Sequence, residues 1–67
     1  MTEYEKEIIL AYAKNNMDVC KTARFMYKHS NTVRYHLDKM HNKYGLNPYI
    51  FFDLVELVKI AKGSNDE

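Results

Sequence analysis

Sixty-seven residues, 46% hydrophobic and 28% charged with two glycines and one proline, describe one globular domain rather than a disordered or collagen-like chain. A compact chain of this length has a radius of gyration of about 11 Å, which excludes a doubly wound sheet, a barrel enzyme or a large cleft. The net charge is +1, and the one cysteine, Cys20, allows no intrachain disulfide.

Punctuation divides the chain into four helical stretches, an all-α reading. Thr2 and Glu5 have capping-box spacing. Tyr4, Ile8, Ala11 and Tyr12 follow as an apolar stripe widened by Ile9 and Ala13, and Lys14-Asn15-Asn16 ends this first helix. Asp18 caps a short second helix whose inner face is Val19, Thr22, Ala23 and Met26. Phe25 lies off that stripe and is expected to pack on the last helix, while Cys20 is expected to be a small core residue. Tyr27-Lys28-His29 makes a tight connection. Ser30 is the expected N-cap of a third helix over about 31–44, with Val33, Leu37, Met40 and Tyr44 facing the core and Gly45 ending it. Asn47-Pro48 predicts a cap followed by proline at the first position of a fourth helix, running to about residue 62. Ile50, Phe51, Leu54, Val55, Leu57, Val58 and Ile60 give this helix a stripe wider than one intramolecular contact needs. Tyr49, Phe51, Phe52 and the aliphatic residues of this helix are expected to be mostly core, with the excess available as a homodimer seam. Gly63 stops the helix, and the tail over 63–67 is expected to fray. Alternation and hairpin dipeptides are absent, so strands are not expected.

The small net charge hides an asymmetry. Residues 21–44 hold Lys21, Arg24, Lys28, Arg34, Lys39 and Lys43 against Asp38 alone, a balance of +5, and the rest of the chain carries −4. His29, His36 and His41 also lie in the basic segment. An anion-binding centre on an acidic scaffold fits this pattern, as does a solvated charge pattern with no partner.

A short helix, a tight turn and a longer helix over about 18–44 is the helix-turn-helix arrangement, with Ala23 giving the room that a close crossing needs. The usual turn glycine is replaced by Tyr27 or Lys28. At 100° per residue, Asn31, Thr32, Tyr35, Asp38, Lys39 and Asn42 fall opposite the apolar stripe of the third helix, rimmed by Arg34 and His41 on one edge and His36 and Lys43 on the other. Asparagine can bond adenine, threonine can meet a base edge or a thymine methyl, and lysine and arginine neutralise phosphate. A 14-residue helix is about 21 Å long, enough to lie in a major groove.

These residues carry a resemblance. Lys21-Thr22-Ala23-Arg24-Phe25-Met26, then His29-Ser30-Asn31-Thr32-Val33-Arg34-Tyr35-His36-Leu37, then Tyr44-Gly45-Leu46 is similar to the C-terminal helix-turn-helix domain of PucR/CdaR-type bacterial transcriptional regulators, a Fis-like fold. The resemblance covers roughly residues 5–62, and its His-x-Asn-Thr element is its most specific part. It implies operator binding, with His29, Asn31, Thr32, Arg34 and Tyr35 at the turn and the start of the recognition helix. Ser30 and His36 stand where the family usually carries arginine, and Lys28 where it carries an apolar turn residue. Family members normally carry a long N-terminal sensory region. A free-standing regulator, a fragment and a remnant with another role stay open.

Each candidate has a plainer alternative. Asn31 and Thr32 can read bases or only complete a cap with Ser30. Tyr35 can meet DNA or be a surface aromatic. Arg34 can reach phosphate or pair with Asp38 at i,i+4. His29 fits a turn-stabilising role better than a metal ligand, and His36 and His41 are five apart, not the spacing of a helical metal pair. No cofactor, metal or small-molecule substrate is expected. A catalytic Cys–His pair needs a pocket this chain can hardly build, so no enzyme is expected either. The acidic start lacks a secretory apolar segment and no run reaches membrane-spanning length, so a cytoplasmic protein is expected.

The resulting expectation is a single all-α, four-helix domain over residues 1–67 that binds duplex DNA as a small transcriptional regulator. Lys28, His29, Ser30, Asn31, Thr32, Arg34, Tyr35, Lys39 and Lys43 form its DNA-binding set. Asn31, Thr32 and Tyr35 lie near bases, and Lys28, Arg34, Lys39 and Lys43 near phosphates. A homodimer through the last helix is expected. The rival is a protein-interaction module that docks on a partner regulator through that same helix.

Overall fold

The computed structural model describes residues 1–63, and there Thr2 opens the first helix as its spacing predicts. Its hydroxyl accepts from the Glu5 N–H at 3.1 Å, and the Glu5 carboxylate accepts from the Thr2 N–H at 2.9 Å. Two N–H groups that a helix start leaves orphaned are thereby satisfied. Helix α1 runs Glu3–Lys14. It closes through Asn16 in the left-handed region (φ 58°), with the Met17 N–H on the Tyr12 carbonyl at 2.9 Å and the Asn16 N–H on the Ala13 carbonyl at 3.3 Å. Asp18 then caps α2, Val19–Met26, accepting from the Lys21 N–H at 3.0 Å.

Helix α3 runs Ser30–Tyr44 and is closed by Gly45 at φ 70°. Its cap is His29, one residue earlier than the serine signal suggests. The His29 backbone is extended, and its Nδ1 accepts from the Asn31 N–H at 3.1 Å, so Ser30 is already helical. The fourth helix also starts later than expected: α4 runs Phe51–Ala61, not from Pro48. The Asn47 side chain accepts from the Tyr49 N–H at 3.0 Å, and the Ile50 N–H reaches the Asn47 carbonyl at 3.0 Å. That asparagine-led turn competes with the helix for the same backbone. Asp53 in the first turn of α4 accepts from the Asn47 N–H at 3.0 Å and fixes the turn to the helix.

Helix α1 is the hub: α2, α3 and α4 all pack on it, and α2 also packs on α3. The core joins Ile8, Ile9 and Tyr12 of α1, Ala23 of α2, Val33, Leu37 and Met40 of α3, and Leu54, Leu57 and Ala61 of α4. Full burial of each large aliphatic side chain contributes about 1.5–3 kcal/mol. The four helices, with no strand among the described residues, form an all-α domain with a radius of gyration of 10.9 Å.

Several sequence expectations about packing are corrected. Phe25 lies over a groove between α1 and α2 beside Tyr4, Leu10 and Met26, not on α4, because α2 and α4 sit on different parts of α1. Cys20 is exposed, since the buried face of α2 is carried by Thr22 and Ala23. Phe51 and Phe52 are 60% and 77% exposed, and Tyr49 39%. With α4 starting at Phe51, its buried line is Leu54, Leu57 and Ala61, and the two phenylalanines point away from it. The tail Ser64–Glu67, expected to fray, lies outside the described residues.

Candidate nucleic-acid interface

The centre of the domain is α2, a three-residue turn and α3. The Thr22 hydroxyl is buried and donates to the Asp18 carbonyl at 2.7 Å, and Ala23 is 3% exposed against the core. The chain leaves α2 through Tyr27, in the left-handed region at φ 57° and ψ 42°. The Lys28 N–H bonds the Ala23 carbonyl at 2.8 Å and the Tyr27 N–H bonds Arg24 at 3.2 Å, the paired closure that glycine usually serves. A tyrosine there costs about 1–2 kcal/mol of backbone strain. Its ring is 95% exposed, so packing does not repay that strain. His29 then turns the chain into α3, its carbonyl accepting from Thr32 at 3.0 Å and Val33 at 3.3 Å.

Burial of Val33, Leu37 and Met40 sends the opposite side of α3 into solvent. Asn31, Tyr35, Lys39 and Asn42 are exposed there, and Thr32 is half-buried at its edge. The Arg34 guanidinium reaches Asn31 Oδ1 at 3.5 Å, not Asp38 as the i,i+4 alternative required. Asp38 instead accepts from the Tyr49 hydroxyl at 2.9 Å. Lys39 Nζ lies 5.9 Å from the centroid of the Tyr35 ring, so charge and aromatic face act as one unit. Tyr35 also meets His36 edge-on at 5.1 Å. Lys28 is exposed with its ammonium 5.6 Å from the Tyr4 ring, turned back toward α1. Ser30 is half-buried in the first turn. Lys21 and Arg24, outside the DNA-binding set taken from the sequence, are exposed on α2.

Lys43 sits apart from the others. Its ammonium lies 3.2 Å from Glu5 Oε2 and 3.4 Å from Oε1, and the Tyr44 hydroxyl donates to Glu5 Oε1 at 2.8 Å. Glu5 is 8% exposed. Burial alone would raise its pKa, but the Thr2 N–H, the Tyr44 hydroxyl and Lys43 together hold it at about 2. Lys43 is raised, first by its hydrogen bond to Glu5 and then by the neighbouring Tyr44. Tyr44 is raised by burial and then by Glu5. Sequence reading took Glu5 only as a cap. A signal was available: Glu5, Ile8, Ile9 and Tyr12 share the i, i+3, i+4, i+7 face.

A short capped helix, a left-handed turn and a longer helix with an exposed polar and basic face define a helix-turn-helix domain. Residues 6–58 match the PucR C-terminal helix-turn-helix domain, and the chain belongs to that family of DNA-binding regulatory domains. No curated protein matches the chain, and no solved structure matches it. Among the described residues, no group of three histidine, cysteine, aspartate or glutamate side chains could hold a metal ion, and no helix is long and apolar enough to cross a membrane.

Proposed function

We propose that the domain binds duplex DNA sequence-specifically as a small bacterial, cytoplasmic transcriptional regulator, with α3 in the major groove. The observation that carries this reading is the exposed row of Asn31, Tyr35 and Lys39 on a helix whose other side is core. Asn31 and Thr32, with Tyr35, would meet base edges in the groove. Arg34 and Lys39 would lie against phosphates, and Lys28, His29 and Ser30 would meet the backbone beside the N-terminus of α3. Lys43 enters only at the margin, because Glu5 already engages its ammonium.

Homodimerisation would let two such heads read half-sites about 34 Å apart. The exposed Ile50, Phe51 and Phe52 at the start of α4 support a seam there. The same exposure supports the second reading, docking of this domain on a partner regulator through α4.

The test is selection from randomised duplex DNA with the purified protein at near-physiological salt. Enrichment of one motif supports specific binding, and inverted repeats about one turn apart support the dimer. Affinity for the selected duplex should fall steeply with salt, and Arg34→Glu with Lys39→Glu should abolish it. No enrichment from a folded protein, at low salt too, would favour the protein-docking reading.

A further inference from the structure

We propose that Asp38 is a base-reading residue of α3, its carboxylate held by the Tyr49 hydroxyl so that it accepts from the N4 amino group of a cytosine. This rests on the DNA-binding reading above. Asp38 is the one acid in residues 21–44, and it is exposed. At 100° per residue it falls within about 20° of Asn31 on the side away from the core. A negative charge on that face opposes the phosphates of DNA, so it weakens binding unless it makes a specific contact.

Two observations fit Asp38 for such a contact. Asp38 is left un-neutralised: Arg34, one turn earlier, reaches Asn31 instead, and none of the ion pairs among the described residues involves Asp38. It is also held. Asp38 Oδ1 accepts from the Tyr49 hydroxyl at 2.9 Å, and Tyr49 is itself fixed by the Asn47 side chain at its N–H and by the buried Tyr12 ring, edge-on at 6.3 Å. Burial and the Asp38 carboxylate push the Tyr49 hydroxyl up to about 12, so it remains a donor at ordinary pH.

A carboxylate only accepts. In the major groove, guanine presents two acceptors and thymine an acceptor beside its methyl, both unfavourable to it. Adenine sets its N7 acceptor next to its amino donor. Cytosine presents an amino donor with no adjacent acceptor on the same base. An oriented carboxylate therefore selects cytosine, and Tyr49 acts as a positioning residue.

The experiment takes the duplex selected by the wild-type chain and all its single-base-pair variants. Affinities are measured for the wild type, Asp38→Asn and Tyr49→Phe, each checked for folding by thermal melting. The wild type should prefer cytosine at one position by about tenfold or more. Asp38→Asn should erase that preference, keep the others and bind non-cognate DNA no more weakly than wild type. Tyr49→Phe should keep the preference but reduce it. A wild-type motif without a preferred cytosine, or identical preferences in Asp38→Asn, overturns the inference alone. Absence of any wild-type motif overturns the DNA-binding reading, and the inference with it.

Discussion

The hydroxyl of Tyr44, in the last turn of α3, donates to the carboxylate of Glu5, in the first turn of α1, at 2.8 Å. The same carboxylate caps α1 through Thr2 and faces Lys43 at 3.2 Å. One buried acid thus ties the start of the chain to the far end of the proposed recognition helix. Removing it leaves the Tyr44 hydroxyl and the Thr2 N–H without their partner. Glu5→Ala should therefore cost about 2 kcal/mol. In a domain this small that lowers the thermal midpoint by roughly 10 °C. An unchanged midpoint in a melting experiment would show that the latch contributes nothing.

The latch also sets an acid response. The folded pKa of Glu5, at about 2, lies below its ordinary 4.5. Its contribution to stability is fully present above that ordinary value and is lost as the pH falls toward about 2. Urea midpoints measured across this window should fall for the wild type. They should fall less for Glu5→Gln, which has no carboxylate to titrate. Parallel curves for the two chains would remove Glu5 as the source.

Tyr27 occupies a left-handed position in which its ring, 95% exposed, gains no packing. Glycine relieves about 1–2 kcal/mol of strain and adds about 0.5–1 kcal/mol of unfolded-state entropy cost. Tyr27→Gly should therefore stabilise the domain by roughly 0.5–1 kcal/mol in a urea titration. A destabilised Tyr27→Gly chain would mean that the tyrosine makes a favourable contact in the fold.

Local signals were legible in the sequence, and distant ones were not. Thr2 with Glu5, Asp18 and Gly45 act within three or four residues of their partners, so spacing alone reveals them. The core faces of α1 and α3 follow from periodicity. The start of α4 did not follow, because Asn47 can lead either a helix or a turn and only Asp53 and Tyr49 decide between them. The inner face of α2 was legible too, with Thr22 and Ala23 buried and Val19 and Met26 packed on the core; Phe25 and Cys20 were misassigned because they lie off that face and were given core partners for their apolar character alone. The bonds of Glu5 to Lys43 and Tyr44 span 38 and 39 residues, and that of Asp38 to Tyr49 crosses a turn, so neither leaves a mark in spacing.

The apolar start of α4 bears on assembly. Phe52 is 77% exposed, so Phe52→Glu should change monomer stability by no more than about 0.5 kcal/mol. If two copies meet through this corner, sedimentation velocity should give a dimer for the wild type and a monomer for Phe52→Glu. A dimer that survives the change would put the seam elsewhere.

In the proposed function the outward face of α3, not α4, receives the partner, and the partner is duplex DNA. A nitrogen-15 NMR titration of the chain with a short duplex at low salt tests it residue by residue. The largest amide shifts should fall at Asn31, Thr32, Tyr35 and Lys39, with Phe51 and Phe52 unmoved and all shifts reversed by added salt. Shifts centred on α4, or none at all, would contradict it.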